Sequence, residues 1–197
     1  IYVGQTNEQL RTRVRRHLTN QRTDAVAMRI LDIFEVAEMK LWPLWELEAR
    51  QANDAEAKAK LNSAEYTAYL DAIEGSKFKA ILNEKIPPVS PQITLPPGRA
   101  FTLVSNETRD RLGHPDIRIA RRADTISRLA AVAHERGEVS DGLRRVLVIQ
   151  AVRLTYLAAA RLAYVEGRPE PSPAAINVEA LVGSVLFEHG TPNEDDT

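Results

Sequence analysis

The chain has 197 residues, of which 44% are hydrophobic and 27% charged, a balance typical of a soluble globular protein with one or two domains. It contains no cysteine, which excludes disulfides, thiolate zinc sites and cysteine nucleophiles. Lys+Arg (26) and Asp+Glu (27) nearly cancel, so the net charge of -1 indicates no particular partner. No window of 18 apolar residues occurs, so we expect no membrane-spanning segment and a cytoplasmic protein.

The predicted elements of the first half alternate between helix and strand. Apolar spacing and turn residues indicate a strand at 1–4, a helix beginning at Asn7, a helix at 23–34, a strand at 36–42, a helix at 51–61 and a helix at 63–75 that Ser63 caps. Pro43 would confine the second strand to an edge or an end of its sheet. We therefore expect a short antiparallel sheet flanked by helices.

The second half is predicted to be helical. Residues 86–100 hold five of the eleven prolines, which predicts a stiff extended segment. Beyond it, helices are expected at 115–137, 140–167 and 178–187. The predicted organisation is an α+β domain at 1–90, a Pro-rich linker at 91–100, an all-α domain at 101–190 and a disordered acidic tail at 191–197.

A short motif at the beginning of the chain carries the functional prediction. Tyr2-Val3-Gly4-Gln5-Thr6 is followed by Arg13 and His17, whose spacing of four places them on one face of a helix. These residues resemble the second half of the signature of the GIY-YIG endonucleases, with Val3 in place of the usual isoleucine. Arg13 falls at the family's catalytic arginine and His17 at its histidine.

The resemblance extends over about residues 1–90. The family places a glutamate on a later helix, for which Glu65 fits best and Glu74 is the alternative, and Leu82-Asn83 matches the Leu-Asn that closes many members. The GIY half, with a first catalytic tyrosine, is expected about a dozen residues upstream of Tyr2. Because the chain begins inside a predicted strand, we expect the natural protein to extend further.

The resemblance implies metal-dependent hydrolysis of DNA phosphodiester bonds. It assigns Arg13 to the phosphate, Glu65 to a Mg²⁺ (or Mn²⁺) ion, and Tyr2 and His17 to positioning or proton transfer. A single carboxylate can hold Mg²⁺ because this ion keeps most of its water ligands. Taken singly, Tyr2 would be an ordinary strand residue, Arg13 a solvated surface residue and His17 a helix-end residue.

Arginine is distributed in a way that favours a nucleic acid as partner. It outnumbers lysine twenty to six, and its fork of donors suits phosphate, although a GC-rich genome would produce the same bias. One helix carries Arg118, Arg121 and Arg122 at i, i+3 and i+4, and we expect these residues to contact DNA together with Arg15 and Arg16. The alternative is that they pair with nearby acids, which are Asp116, Asp124, Glu135 and Asp141.

Two further hypotheses remain open. The first domain is either a DNA endonuclease or a catalytically silent nucleic-acid-binding or protein-interaction module. In the second case, the helical half of the chain binds the partner. The helical domain could hold the substrate, a protein partner or a second subunit through the apolar face of the helix at 140–167. A purely helical adaptor that ignores the N-terminal motif is the third possibility.

Overall fold

The computed structural model describes residues 1–19, 35, 38–51, 53–137 and 139–187. Its elements in chain order are α1 (Leu10–Thr19), β1 (Glu38–Leu41), a 3-10 turn (Trp45–Leu47), α2 (Ala55–Glu74), β2 (Arg99–Thr102), α3 (Asn106–Leu112), α4 (Pro115–Arg136), α5 (Asp141–Val165), a 3-10 turn (Pro173–Ala175) and α6 (Val178–Val182). The fold is mixed helix and sheet, and because 56% of it is helical, helices build most of the core.

The expected short antiparallel sheet is present in the described chain as a single pair of strands. β1 pairs with β2 in a register that places Glu38 opposite Thr102 and Leu41 opposite Arg99. The second strand therefore lies at the end of the Pro-rich segment rather than within residues 1–90, and it links the two halves of the chain. The domain boundary at 91–100 stays a prediction.

Residues 55–74 form one helix where the sequence predicted two. Asp54 caps α2 by accepting hydrogen bonds from the backbone N–H groups of Glu56 and Ala57. Ser63, the predicted N-cap of a second helix, is buried in the middle of α2. The strong helix propensity on both sides of Ser63 carries the helix through this position.

The predicted helices of the second half are confirmed at their beginnings. Pro115 opens α4, and the Ser140 side chain caps α5 by accepting from Leu143 N–H. α4 and α5 pack together around a core formed mainly by aliphatic side chains, including Leu129, Val132, Leu143, Val146 and Ile149. α6 ends at Val182, earlier than the predicted 187, because Gly183 adopts a positive φ of 73°.

A short segment after α2 joins the two hydrophobic cores. Ala80 and Leu82 pack into the α4–α5 core, whereas Ile81 packs with Tyr69 and Ile73 in a smaller core. This alternation holds residues 80–82 extended between the two cores.

The chain after Leu82 is also fixed against the beginning of α5. A Cβ atom on Gly142 would lie 1.9 Å from the Glu84 carbonyl oxygen, so only glycine permits this approach. Arg145 donates to the same carbonyl at 3.0 Å, and Ser140 donates to the Glu84 carboxylate at 2.8 Å. The α4–α5 pair therefore supports the loop that contains Asn83.

The sequence has no uninterrupted window of 18 apolar residues, but by length and composition alone α5 is long and apolar enough to cross a membrane. The core helix of a soluble protein meets the same criterion, and α5 supplies Val146 and Ile149 to the main core. This packing is consistent with a soluble protein.

Two predicted elements near the beginning of the chain differ in the structure. Residues 1–4 are extended but form no regular strand, and the first helix begins at Leu10 rather than next to Asn7. The predicted helix at 23–34 and the predicted tail at 191–197 lie outside the described residues.

Candidate active site

A cleft of about 1330 Å³ brings together three of the residues that the sequence predicted to be catalytic. Tyr2 and Arg13 line it from the N-terminal segment and α1, and Glu65 lines it from α2. The walls also include residues of β1 and of the α4–α5 pair. Three of the four predicted catalytic residues therefore share one concave surface, although Glu65 lies far from the other two along the chain.

Tyr2 is held between two backbone anchors. The Leu82 N–H donates to the Ile1 carbonyl at 2.9 Å, which fixes the residue before Tyr2. On the other side, Asn83 accepts from the Val3 N–H at 3.0 Å and donates to the Val3 carbonyl at 2.8 Å. Because residues 80–83 are themselves packed on both cores, these bonds fix Tyr2 in the cleft wall.

The tyrosine ring lies over Gly4. A Cβ atom on Gly4 would come within 3.3 Å of the Tyr2 ring and hydroxyl, a tighter approach than side chains normally make. The glycine of the Tyr-Val-Gly motif therefore leaves room for the tyrosine to fold back toward the cleft.

Arg13 acts on the pKa of the Tyr2 hydroxyl, first through its charge and then through hydrogen bonding. Burial raises the pKa of Tyr2 above its ordinary value, Glu65 adds to this effect, and Arg13 acts against it. The net direction is upward, so Tyr2 is a neutral phenol at pH 7.

Glu65 is hydrogen-bonded by the residue that follows the Tyr-Val-Gly motif. Hydrogen bonding from the Gln5 side chain and backbone acts to lower the pKa of the carboxyl. The Gln5 side-chain amide also donates to Asn62 Oδ1 at 2.8 Å, and Asn62 and Glu65 share one face of α2 at i, i+3. Burial nevertheless raises the pKa of Glu65 above its ordinary value. Gln5 and Asn62 are site residues that the sequence analysis did not assign.

Glu74, the alternative metal ligand, lies elsewhere. Its side chain is exposed at the end of α2 and lines no part of the cleft. No group of three or more His, Asp or Glu side chains that could hold a metal occurs among the residues described. A metal at this site would therefore bind through Glu65, water and substrate.

Two of the predicted basic residues cannot be placed, and a third is at the surface. The side chains of Arg16 and His17 lie outside the described part of the chain. Arg15 is exposed on α1.

The arginines of α4 do not form the solvent-facing stripe that their spacing predicted. Arg118 binds Glu35 through two parallel hydrogen bonds of 2.9 and 3.1 Å, and Arg122 binds the same carboxylate at 2.8 Å. Arg121 donates to the Leu112 carbonyl at 3.4 Å. The acidic partner of Arg118 and Arg122 is Glu35, which was not among the four acids named as alternatives.

Glu35 has an unusually low pKa as a result. Burial alone would raise the pKa of this carboxyl, but hydrogen bonds from Arg118 and Arg122 outweigh it and lower the pKa to about 2. Arg153 of α5 lies in the same charged group, where burial and the positive charge of Arg122 lower its pKa to about 10. Sequence spacing gave no signal for either residue, because the group assembles from three distant segments.

Comparison of the chain with protein-family models, curated proteins and solved structures finds no match.

Proposed function

We propose that the protein is a metal-dependent endonuclease that hydrolyses DNA phosphodiester bonds in the cleft. The observation that carries the proposal is that Tyr2, Arg13 and Glu65 line this cleft, where Arg13 and Glu65 act on the pKa of Tyr2 and Arg13 acts on that of Glu65. The resemblance of the N-terminal motif to the GIY-YIG endonucleases points to the same three residues. A tyrosine, an arginine and a carboxylate supply the proton transfer, charge stabilisation and metal ligand that this hydrolysis requires.

Arg13 is suited to the scissile phosphate. A guanidinium has five donors, so the bond to Tyr2 leaves others for the non-bridging phosphate oxygens. Negative charge accumulates on those oxygens as the nucleophile adds, and the interaction with Arg13 strengthens in the transition state.

Tyr2 acts in this scheme as a neutral hydroxyl. Its raised pKa keeps the proton on the phenol at pH 7, so Tyr2 donates a hydrogen bond and passes a proton rather than beginning as a phenolate base. Arg13 fixes the direction of that hydroxyl. His17 stays assigned to positioning or proton transfer by the resemblance alone.

Glu65 fits a divalent cation of the Mg²⁺ or Mn²⁺ type. It is a half-buried carboxylate at the cleft wall, and the Gln5 hydrogen bonds orient it. A bound Mg²⁺ would neutralise charge on the phosphate and stabilise the leaving 3′-oxygen. Ionised Glu65 is unfavourable when buried without a cation, which is consistent with its raised pKa.

The direct test is cleavage of supercoiled plasmid by the full chain with Mg²⁺, with Mn²⁺ and with a chelator. We expect nicked or linear DNA only with metal. Glu65→Gln should slow cleavage strongly but measurably, whereas Glu74→Gln, on the same helix but outside the cleft, should cleave at the wild-type rate. DNA that is shifted on a gel but never cut would support the silent binding module instead.

A further inference from the structure

The cleft has a second cationic group that the nuclease residues do not use. Arg122 of α4 and Arg153 of α5 both line the cleft that contains Tyr2 and Glu65. They also line an adjoining cavity of about 380 Å³. Arg122 donates to the Arg153 backbone carbonyl at 3.3 Å, so the two residues are held together where α4 and α5 pack.

The charges in this group do not balance. Arg118 and Arg122 share the single carboxylate of Glu35, and no carboxylate among the described residues forms an ion pair with Arg153. Among the residues that the structure describes, the charges of three guanidinium groups therefore act against one carboxylate. Only 13% of the Arg122 side chain is exposed, so water screens this excess charge poorly.

A phosphate group is the ligand that this arrangement favours. Guanidinium groups present planar forks of donors that match phosphate oxygens, and a phosphodiester carries the negative charge that the group lacks. Burial and the repulsion by Arg122 already lower the pKa of Arg153 to about 10, and a bound anion would relieve both effects.

We propose that Arg153, supported by Arg122, binds a second phosphate of the DNA strand whose scissile phosphate contacts Arg13. This inference rests on the proposed nuclease function, because it places the second phosphate in the same cleft. The inference also gives the α4–α5 pair a role, because this pair holds the DNA strand on the cleft wall next to the scissile phosphate. Arg118 is the positioning residue that keeps Glu35 in place.

The test is DNA binding without metal, so that cleavage does not interfere. A labelled DNA duplex is titrated with wild type, Arg153→Gln, Arg153→Lys and Arg144→Gln over a range of salt concentrations. Arg144 is the matched control because it is exposed on α5, lines neither cavity and lies about two and a half turns from Arg153, on the opposite face.

We expect Arg153→Gln to weaken binding roughly tenfold at low salt and to reduce the salt slope by about 0.9, the value for one lost phosphate contact. Arg153→Lys should keep the slope and lose part of the affinity, and Arg144→Gln should match wild type. Circular dichroism of each variant establishes that it is folded.

Equal affinity and equal slope for Arg153→Gln and Arg144→Gln would overturn the inference, even if the wild type cleaves DNA. Thermal stabilisation of the wild type but not of Arg153→Gln by inorganic phosphate, with unchanged DNA binding, would assign the site to a free anion and overturn it too. Conversely, the expected loss of binding in a protein that never cleaves DNA would support the second phosphate site while the nuclease proposal fails.

Discussion

Asn83 binds both backbone polar groups of Val3, a residue that lies 80 positions earlier in the chain. Its side chain is 6% exposed, and it accepts from the Val3 N–H at 3.0 Å and donates to the Val3 carbonyl at 2.8 Å. A carboxamide is the one uncharged side-chain group that offers an acceptor and a donor side by side. Asn83 therefore connects the core of the protein to the segment that carries Tyr2.

Replacement of Asn83 should affect stability and activity together. Asn83→Ala leaves two backbone groups of Val3 without partners, and we expect a loss of about 2 kcal/mol in the free energy of unfolding, or about 4–8 °C in Tm. Asn83→Asp keeps the acceptor and loses the donor. Its free energy of unfolding should lie between those of the wild type and Asn83→Ala, or below that of Asn83→Ala. Thermal denaturation and plasmid cleavage measure both effects. Asn53→Ala, which changes an exposed amide ahead of α2, is the control and should change neither.

Arg13 should be required for the chemical step more than for DNA binding. We expect Arg13→Ala to reduce the single-turnover cleavage rate by about 10²–10³-fold, because its interaction is strongest with the charge of the transition state. DNA affinity measured without metal should fall much less. Arg11→Ala is the matched control because Arg11 is exposed on the same helix and does not line the cleft. Equal losses for the two variants would contradict the assigned role.

In the metal-free protein, ionised Glu65 should lower the free energy of unfolding at neutral pH. Burial raises its pKa in the folded state, so protonated Glu65 favours folding below pH 4.5, and this contribution is lost as the pH rises through the folded-state pKa. Glu65→Gln is neutral at every pH. We therefore expect its Tm to be at or above that of the wild type at pH 7, with the difference narrowing below pH 4.5. A lower Tm for Glu65→Gln at pH 7 would count against a strained carboxylate.

Glu35 should make the opposite contribution. Its pKa is lowered to about 2, so its ion pairs with Arg118 and Arg122 stabilise the fold above pH 4.5 and lose this effect as the pH falls toward 2. Glu35→Gln leaves the arginines unpaired, and we expect a loss of about 3 kcal/mol at pH 7. Denaturant titrations at pH 7 and pH 3 should show a smaller difference between variant and wild type at the lower pH.

The same Glu35→Gln variant should bind DNA more tightly, because it removes the carboxylate that pairs with Arg118 and Arg122 in the described part of the chain. Tighter binding at low salt with a steeper salt dependence is the expected result. If the variant is folded and its affinity is unchanged, the arginine group does not contact DNA.

Sequence patterns identified residues of the cleft where the signal was local, and missed those whose role depends on partners distant in the chain. Tyr2 and Arg13 belong to one short motif, and both line the cleft. Whether Arg13 shares a helix face with His17 stays a prediction, because the His17 side chain lies outside the described residues. Asn83 was noted as part of a Leu-Asn pair, but its bonds to Val3 are invisible without the fold. Glu35 meets Arg118 across 83 positions of sequence, and no periodicity within one helix can reveal such a contact.

The errors in secondary structure have similar causes. Ser63 is a good helix cap in isolation, yet its position inside a long run of helix formers makes it a buried interior residue of α2. β2 has four residues directly after a Pro-rich segment, too few to give an alternating pattern. Its existence depends on β1, which lies 60 residues earlier and supplies the backbone partners.

A double-mutant cycle between Arg13 and Glu65 tests whether these residues act as one site. Single-turnover plasmid cleavage with saturating Mg²⁺ is compared for wild type, Arg13→Ala, Glu65→Gln and the double variant. Residues that act as a unit are strongly non-additive, so the double variant should be no slower than the slower single variant. Losses that multiply would mean that the two residues act independently, and a wild-type protein without metal-dependent cleavage would contradict the nuclease function itself.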